Sequence, residues 1–513
     1  MEIHTEKQKV TGTVYLVGAG PGDEGLLTVK GRKLLKEADV IIYDHLANPA
    51  LLGYAKKECE KIYVGKENHR HTMPQKEINE LLVEKARQFQ KVVRLKGGDV
   101  YVFGRGGEEG IHLREQGIPF EVIPGVSSPI AGLAYAGIPV THRGIARGFR
   151  IITAHSQGGQ PADIDFDALA RTKDTCVFLM GFSKLDELTQ NMIQAGMPPF
   201  RPVAVISNAT LPSQKTCVGT LETIARQVRE SNLTSPALIV VGDVVNLRTS
   251  LSFFEEKPLF GKQFLVTKIG EESSYLANIL REKGARVTEV QTGEIRMIPD
   301  GVKKEILSRA HWIVLTSRHG VDAFFASLKV QRIDIRILSY KKFAVIGIKT
   351  AKALERYGIY ADFVPPVFDS ESLRNALAKA IKPGETVAYG VPAGVEDKEL
   401  MGLKGYATIE IMRLYENLEC RISTAHTPGV WAQEGSPSTF PDYDGAFFTC
   451  ASSVNRYLGS LGEEERTPFQ TGRIEAISIG KNTTQALKEW GVLKIRQSLS
   501  STYEGMIEAM SFI

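Results

Sequence analysis

Apolar and polar positions along the first half of the chain switch repeatedly between two periods. Val14 to Val17, Val40 to Tyr43, Val92 to Leu95, Arg150 to Thr153, Thr175 to Leu179, Val203 to Ser207 and Ala237 to Val241 are short, largely apolar, β-branched runs that predict buried strands. Leu26 to Ala38 and Ile78 to Gln88 carry the helical period between them. Strands alternating with helices predict an α/β fold with largely parallel pairing. The segment Ser252 to Gly261 has no clear period and divides the chain. A strand at Gln263 to Thr267 restarts the pattern, and an internal repeat follows. Trp312 to Thr316 and the residues after it resemble Ala446 to Thr449 and theirs, and Ala344 to Thr350 resembles Ile477 to Thr483. Thr316 and Gly347 are 31 residues apart, as are Thr449 and Gly480, and Glu371 and Glu504 keep the same offset of 133. Three anchors at one offset predict two similar α/β lobes with a ligand cleft between them.

At 513 residues the chain is too long for one core, and 43% apolar with 24% charged residues is ordinary globular composition. A net charge of +4 is too small to point to nucleic acid. No apolar run reaches the roughly 18 residues that span a bilayer. Met1 to Lys9 lacks the apolar core of a signal peptide, so a cytoplasmic protein is expected. Five cysteines without a C-x-x-C pair argue against a zinc site or a disulfide framework, and no metal is expected.

Candidate chemistry concentrates where strands end in glycine. The strand Val92 to Leu95 feeds a loop with glycines at 97, 98, 104, 106 and 107, threaded with Asp99 and Arg105. Such a density lets backbone approach a ligand closely. Gly18, Gly20 and Gly22 form a second turn after the first strand, but Asp23 and Glu24 follow where a pyrophosphate needs bare N–H donors, which disfavours NAD. A tight ligand-free connection is the alternative for that turn taken alone.

Together with Ile123 to Ser128 and Tyr135 to Gly144, these motifs resemble the uroporphyrinogen-III C-methyltransferases of the tetrapyrrole methylase family, over about 9 to 250. The resemblance implies two α/β lobes with S-adenosylmethionine between them, and a homodimer. It implies a donor site lined by Pro21, Gly97, Gly98, Asp99, Val102, Ser127, Ser128, Met180 and Ala209, the last often Gly in relatives. It gives Asp44 and Lys66 as general base and acid, which from sequence alone read more readily as an ordinary solvated pair. Arg94, Lys96, Arg105, His142, Arg143, Arg147 and Arg150 are cations for the eight carboxylates of the implied substrate, uroporphyrinogen III, with Arg105, His142 and Arg143 the chosen contacts.

The repeated Thr-Ser and Val-x-Gly-x-x-Thr pattern of residues 259 to 513 resembles uroporphyrinogen-III synthase. That resemblance implies two lobes joined by two crossing strands, one lobe built from both ends of the half, acting on hydroxymethylbilane without a cofactor. Thr316, Ser317, Thr449, Ser452, Gly480, Thr483 and Thr484 are expected at its substrate cleft, with helix capping as the alternative role of the hydroxyls. Tyr389 and Lys268 stand where relatives often have Arg, and Thr424 to Asp442 is an inserted or variable loop. The expected organisation is a tail at 1–8, a methyltransferase at 9–250, a linker at 251–260 and a synthase at 261–513. The expected function is bifunctional: closure of hydroxymethylbilane to uroporphyrinogen III, then methylation at C2 and C7 to precorrin-2, for cobalamin or sirohaem. Two alternatives stay open. One is a methyltransferase for a later corrinoid or a protein side chain, and the other is a second half that binds tetrapyrrole without turnover.

Overall fold

The computed structural model describes residues 11–65, 73–154, 163–270, 274–366, 370–395, 407–420 and 442–510. Lys66, the tail at 1–8 and nearly all of the Thr424 to Asp442 loop lie outside the described residues. The first lobe is a sheet of β1 (Thr13–Gly18), β2 (Val40–Tyr43), β3 (Glu60–Tyr63), β4 (Lys91–Lys96) and β5 (Phe120–Ile123), ordered β3-β2-β4-β1-β5. Every pairing in it is parallel. The continuous apolar runs are explained by burial on both faces. Val14, Leu16, Val40, Ile42 and Val92 pack into one core, while Val17, Ile41, Val93 and Leu95 pack into another across the sheet. Three helices cover it: α1 (Val29–Glu37), α2 (Gln75–Gln88) and α3 (Gly106–Glu115). Helix α1 starts later than its period suggests, because the Thr28 hydroxyl accepts from the Gly31 N–H and caps it there. α4 (Ser128–Tyr135) leads into the second lobe.

That second lobe departs from the parallel expectation. Its strands β6 (Phe149–Thr153), β7 (Thr175–Leu179), β8 (Pro202–Ser207), β9 (Lys215–Thr220) and β10 (Ala237–Val241) are ordered β6-β7-β10-β8-β9. Only β6 and β7 run parallel; β7 with β10, β10 with β8 and β8 with β9 are antiparallel. The physical reason is the short turn from Asn208 to Gln214, too short for a crossover. Strand β9 escapes a sequence reading because it is half-exposed and polar.

The joining segment has no regular element from Ser252 to Gly261, as its pattern suggests, yet it is packed at both ends. Glu255 accepts from Gln214, Thr216 and Arg248, and Phe254 sits on Tyr135 with centroids 4.7 Å apart. Leu259 is fully buried in the core of the second half.

The second half holds nine described strands: β11 (Gln263–Ile269), β12 (Arg286–Met297), β13 (Trp312–Leu315), β14 (Lys342–Val345), β15 (Thr386–Pro392), β16 (Thr408–Glu419), β17 (Gly445–Phe448), β18 (Glu475–Ser478) and β19 (Ile495–Gln497). The two long strands β12 and β16 do the joining. β12 begins beside β11 and ends antiparallel to the end of β16, whose beginning lies beside β15. One lobe therefore combines β11 with β17, β18 and β19 from the far end of the chain, and the other holds β13, β14 and β15. The repeat is structural: in each copy a strand turns at Thr-Ser or Thr-Cys into a helix, Arg318–Val330 or Ala451–Ser460, and a second strand turns at Gly347 or Gly480 into Ile348–Glu355 or Lys481–Glu489. Among the described residues no helix is long and apolar enough to cross a membrane, and no His, Cys, Asp and Glu group has metal-binding geometry.

Candidate functional site

In an open parallel sheet, ligands sit beyond the carboxyl ends of the strands. At those ends β1 stops at Gly18, β2 at Tyr43 before Asp44, β4 at Lys96 before Gly97, and β5 before Pro124 and Gly125. Three of these segments meet at glycines. A Cβ on Gly18 would lie 2.5 Å from the Gly125 nitrogen and 2.7 Å from the Gly98 oxygen, and one on Gly125 would lie 2.2 Å from the same oxygen. Gly20 and Gly98 exchange backbone hydrogen bonds of 3.2 and 2.8 Å, and Gly98 has φ +69°. The loop after β2 closes on the same place. Leu46 packs on Gly97, so closely that a Cβ there would meet it at 2.5 Å, and the Asn48 amide donates to the Gly22 carbonyl at 2.6 Å. Asp44 thus stands beside the Gly97–Gly98 turn.

The Asp99 carboxylate organises this turn. Its Oδ1 accepts from the N–H groups of Tyr101 and Val102 at 2.8 and 3.2 Å, and its Oδ2 from Gly125 at 2.9 Å. The side chain shapes the turn and pins it to the loop before α4.

The second lobe reaches the same cleft. The Asp23 N–H donates to Thr210 Oγ1 at 3.1 Å, and the Tyr135 hydroxyl donates to Asp23 Oδ2 at 2.7 Å. That bond and burial raise the Tyr135 pKa, with burial the larger cause. The Pro21–Gly22 turn and Ala209 are neighbours through Thr210, and Ala209 lies against Gly132 of α4. Ser127 precedes α4 without a capping hydrogen bond from its side chain, and Ser128 opens the helix. Met180 directly follows β7, whose Leu179 packs in the cluster that also receives Ala209. Non-glycine residues with positive φ gather here: Phe103, Arg105, Met180, Asn208 and Thr210. Strained backbone concentrated at one cleft is a mark of a site held for function. A methyl donor's fit rests on this: the tight glycines let the strand-end loops pack backbone to backbone, and backbone and small side chains line the cleft they form.

The cations are not equivalent. Arg94 and Lys96, grouped with the carboxylate ligands above, are buried and committed to Asp44 and Glu109. Arg150 faces Asp174 at 3.7 Å. Arg105 is exposed and pairs with Glu108 through two bonds of 2.9 and 2.7 Å. His142 and Arg143 are exposed on the turn closed by the two backbone bonds between His142 and Ala146.

In the second half, Thr316 and Ser317 lie where β13 turns into its helix. Ser317 does both things considered for it: its Oγ accepts from the Gly320 N–H at 2.9 Å, capping the helix, and meets the Tyr415 hydroxyl at 3.0 Å. Tyr415 comes from the joining strand β16, and burial raises its pKa. The ring of His319 faces it at 6.4 Å, and burial, reinforced by Arg318, lowers the His319 pKa to about 4. Across the cleft Thr449 is half-buried, Ser452 exposed and Gly480 extended at a helix start. Two expectations are corrected. Thr483 is 3% exposed on the inner face of its helix, and the Thr484 hydroxyl is engaged by Gly480, Ser478 and Gln497. Thr483 is buried within the lobe, and Thr484 is tied to β18 through Ser478. Tyr389, standing for an expected Arg, is buried core. The lobes touch where the Lys349 ammonium lies 4.3 Å from the centre of the Tyr503 ring. Sequence reasoning passes over Thr210, Glu109 and Tyr415. Glu109 lies two residues beyond the glycine-rich loop and Thr210 next to Ala209, whereas Tyr415 has only an apolar strand around it as a signal.

Known proteins match both halves. Residues 13–225 match the family model of tetrapyrrole (corrin/porphyrin) methylases, and residues 274–508 match that of uroporphyrinogen-III synthase HemD. A porphyrin biosynthesis protein HemD of Ruminiclostridium josui is 38% identical over 506 residues, 97% of each chain. A uroporphyrinogen-III C-methyltransferase of Bacillus subtilis strain 168 is 47% identical over 365 residues, 70% of this chain and 74% of that one. Among solved structures, the Thermus thermophilus uroporphyrin-III C-methyl transferase complexed with S-adenyl homocysteine is 42% identical, covering 46% of this chain and all of that one, with a TM-score of 0.40.

Proposed function

The chain belongs to the family that joins a tetrapyrrole methylase to a uroporphyrinogen-III synthase, and from that premise we propose that it carries out two successive reactions. The second half closes hydroxymethylbilane to uroporphyrinogen III without a cofactor. The first half methylates that product at C2 and C7 to give precorrin-2, leading towards cobalamin or sirohaem. The observation that supports this best is the meeting of Gly18, Gly98 and Gly125 beside Asp44 at the strand ends.

The turn Gly97–Gly98–Asp99, with Pro21, Val102, Ser127, Ser128, Met180 and Ala209, would hold S-adenosylmethionine, which supplies an electrophilic methyl group. Asp44 serves as general base, its carboxylate taking the proton that leaves the methylated ring, with Lys66 as the acid partner. Arg105, His142 and Arg143 bind substrate carboxylates at the exposed mouth. In the second half, Thr316, Ser317, Thr449, Ser452 and the backbone at Gly480 bind and fold the linear tetrapyrrole, so that positioning carries much of the catalysis. The enzyme is a cytoplasmic homodimer, paired through its first half.

The test is to supply the purified chain anaerobically with hydroxymethylbilane, with and without S-adenosylmethionine, and identify the products. Type III uroporphyrinogen alone, then a doubly methylated product with donor, is the expected pair. Only the type I isomer would refute the synthase, and unmethylated type III in the presence of donor would refute the methyltransferase.

A further inference from the structure

Strand β4 carries two cations in its buried face, Arg94 at 3% and Lys96 at 4% exposure. Each finds the same partner. Glu109, on the first turn of α3 and 0% exposed, receives Arg94 Nε at 3.2 Å and Lys96 Nζ at 2.9 Å. The Gln75 amide of α2 donates to the same carboxylate oxygen, Oε1, at 3.2 Å. The other oxygen, Oε2, is buried without a partner. The rest of the Arg94 guanidinium is filled. Nη1 donates to the carbonyls of Leu95 and Ile42 at 3.0 and 3.4 Å, and Nη2 donates to Asp44 Oδ2 at 2.9 Å. Arg94 is therefore a fork between two carboxylates, one sealed in the lobe and one at the cleft. Burial, followed by the Arg94 charge, lowers the Lys96 pKa.

A merely structural ion cluster is poorly served by this arrangement. Buried carboxylates in native proteins usually have both oxygens satisfied, and an apolar replacement of a buried pair is often neutral or stabilising. The asymmetry makes sense if the work of Glu109 is to hold Arg94 from one side. Arginine prefers to grip a carboxylate with two parallel bonds. With Nε held by Glu109, the guanidinium offers Asp44 only Nη2, and Asp44 Oδ1 takes the Leu46 N–H at 3.1 Å instead. The cleft carboxylate is thus tethered at two fixed points beside the Gly97 turn.

We propose that Glu109, acting through Arg94, is a positioning residue that fixes the Asp44 carboxylate for proton removal, a role that rests on the reading of Asp44 as the base. Without Glu109, Arg94 has its Nε free to join Nη2 in a two-bond grip on Asp44, which draws the carboxylate from its place in the cleft. A displacement of about 1 Å costs on the order of 100-fold in rate.

The experiment is a double-mutant cycle on the full chain, reading kcat and KM for methyl transfer and the affinity for S-adenosylhomocysteine. Glu109→Gln should lower kcat about 100-fold while leaving product-analogue affinity and type III formation by the second half unchanged. In an Asp44→Asn background it should add nothing further. Arg94→Lys keeps the charge but cannot bridge two carboxylates, so it should reproduce the kcat loss and answers the question if Glu109→Gln fails to fold. If Asp44→Asn alone leaves kcat unchanged, the base assignment falls and takes the proposal with it. If Asp44→Asn is impaired but the Glu109 and Arg94 variants are unaffected, or multiply with it, the positioning role alone is overturned. A loss of S-adenosylhomocysteine affinity matching the loss of kcat would likewise overturn it, since Glu109 would then be supporting the donor turn.

Discussion

The two clefts of this chain are built on opposite principles. In the first, backbone meets backbone: Gly18 and Gly125 leave no room for a Cβ, Gly98 turns with φ +69°, and the Asp99 carboxylate fixes the turn. The lobes are also tied together across the cleft by Thr210 to Asp23 and Tyr135 to Asp23. In the second, two lobes hang on β12 and β16, and the described contacts across the opening include the stacking of Lys349 on Tyr503. The difference follows the chemistry. Methyl transfer needs a donor and an acceptor carbon held in line, which rewards a rigid cradle. Closing a linear tetrapyrrole needs a long, flexible molecule to be wrapped, which suits lobes that can approach around it.

The strongest way to break this comparison is to remove the proposed general base of the first cleft. Asp44→Asn should lower methyl-transfer kcat by about 10²- to 10⁴-fold while S-adenosylhomocysteine still binds and type III formation continues. Steady-state assays of both activities on the same preparation check it. Next in size is Gly18→Ala. A methyl group placed 2.5 Å from the Gly125 nitrogen must push two loops apart, with about 1–3 kcal/mol of overpacking. Calorimetric titration with S-adenosylhomocysteine should show donor binding lost, and thermal unfolding a lower first-half midpoint. The same change at Gly480 should be mild, because the nearest atom to a Cβ there is a serine hydroxyl at 3.4 Å and its φ is extended. Equal damage at both glycines would mean the two clefts are not so differently built.

A smaller effect is expected in the second cleft. Tyr415→Phe removes the 3.0 Å contact with Ser317 and leaves the ring packed. The net value of one such bond is about 1 kcal/mol, so type III formation should slow roughly tenfold or less if the hydroxyl only steadies Ser317. A much larger loss in a product-isomer assay would show that the hydroxyl itself meets the substrate.

Legibility differs between the halves for the same physical reason. Strands buried on both faces announce themselves as apolar runs whichever way their neighbours point, so β1, β2, β4, β7 and β10 are readable nearly to the residue. The antiparallel β9 was not, because a half-exposed edge strand such as Lys215–Thr220 mixes Lys, Thr and Gly. In the first cleft glycine density exposed the site, since only close backbone approach explains so many glycines at strand ends. What sequence could not show was where the charges go. Arg94 and Lys96 look like free cations in a basic word, and only the fold turns both onto Glu109. In the second cleft the repeat found the turns, but a Ser or Thr at a helix start reads the same whether it faces a ligand or its own lobe. Thr483 and Thr484 face the lobe. Tyr415 had no motif around it, because a joining strand is selected for its packing and one hydroxyl leaves no pattern.

The finest test of the contrast uses pH. His319 lies beside Tyr415 at the second cleft, and burial together with Arg318 lowers its pKa from 6.5 to about 4, with Asp322 opposing the shift. Between those values the unfolded chain binds a proton at this position and the folded chain does not. Stability therefore rises with pH through that window and is lost as pH falls from about 6.5 towards 4. His319→Gln removes this proton uptake without emptying the site. Urea unfolding of the second half, followed at several values between pH 7 and pH 4.5, should show the wild type losing more stability on acidification than the variant. Parallel pH profiles would mean that His319 is solvated in the folded protein, and that the second cleft is more open at rest than its Tyr415–Ser317 contact suggests.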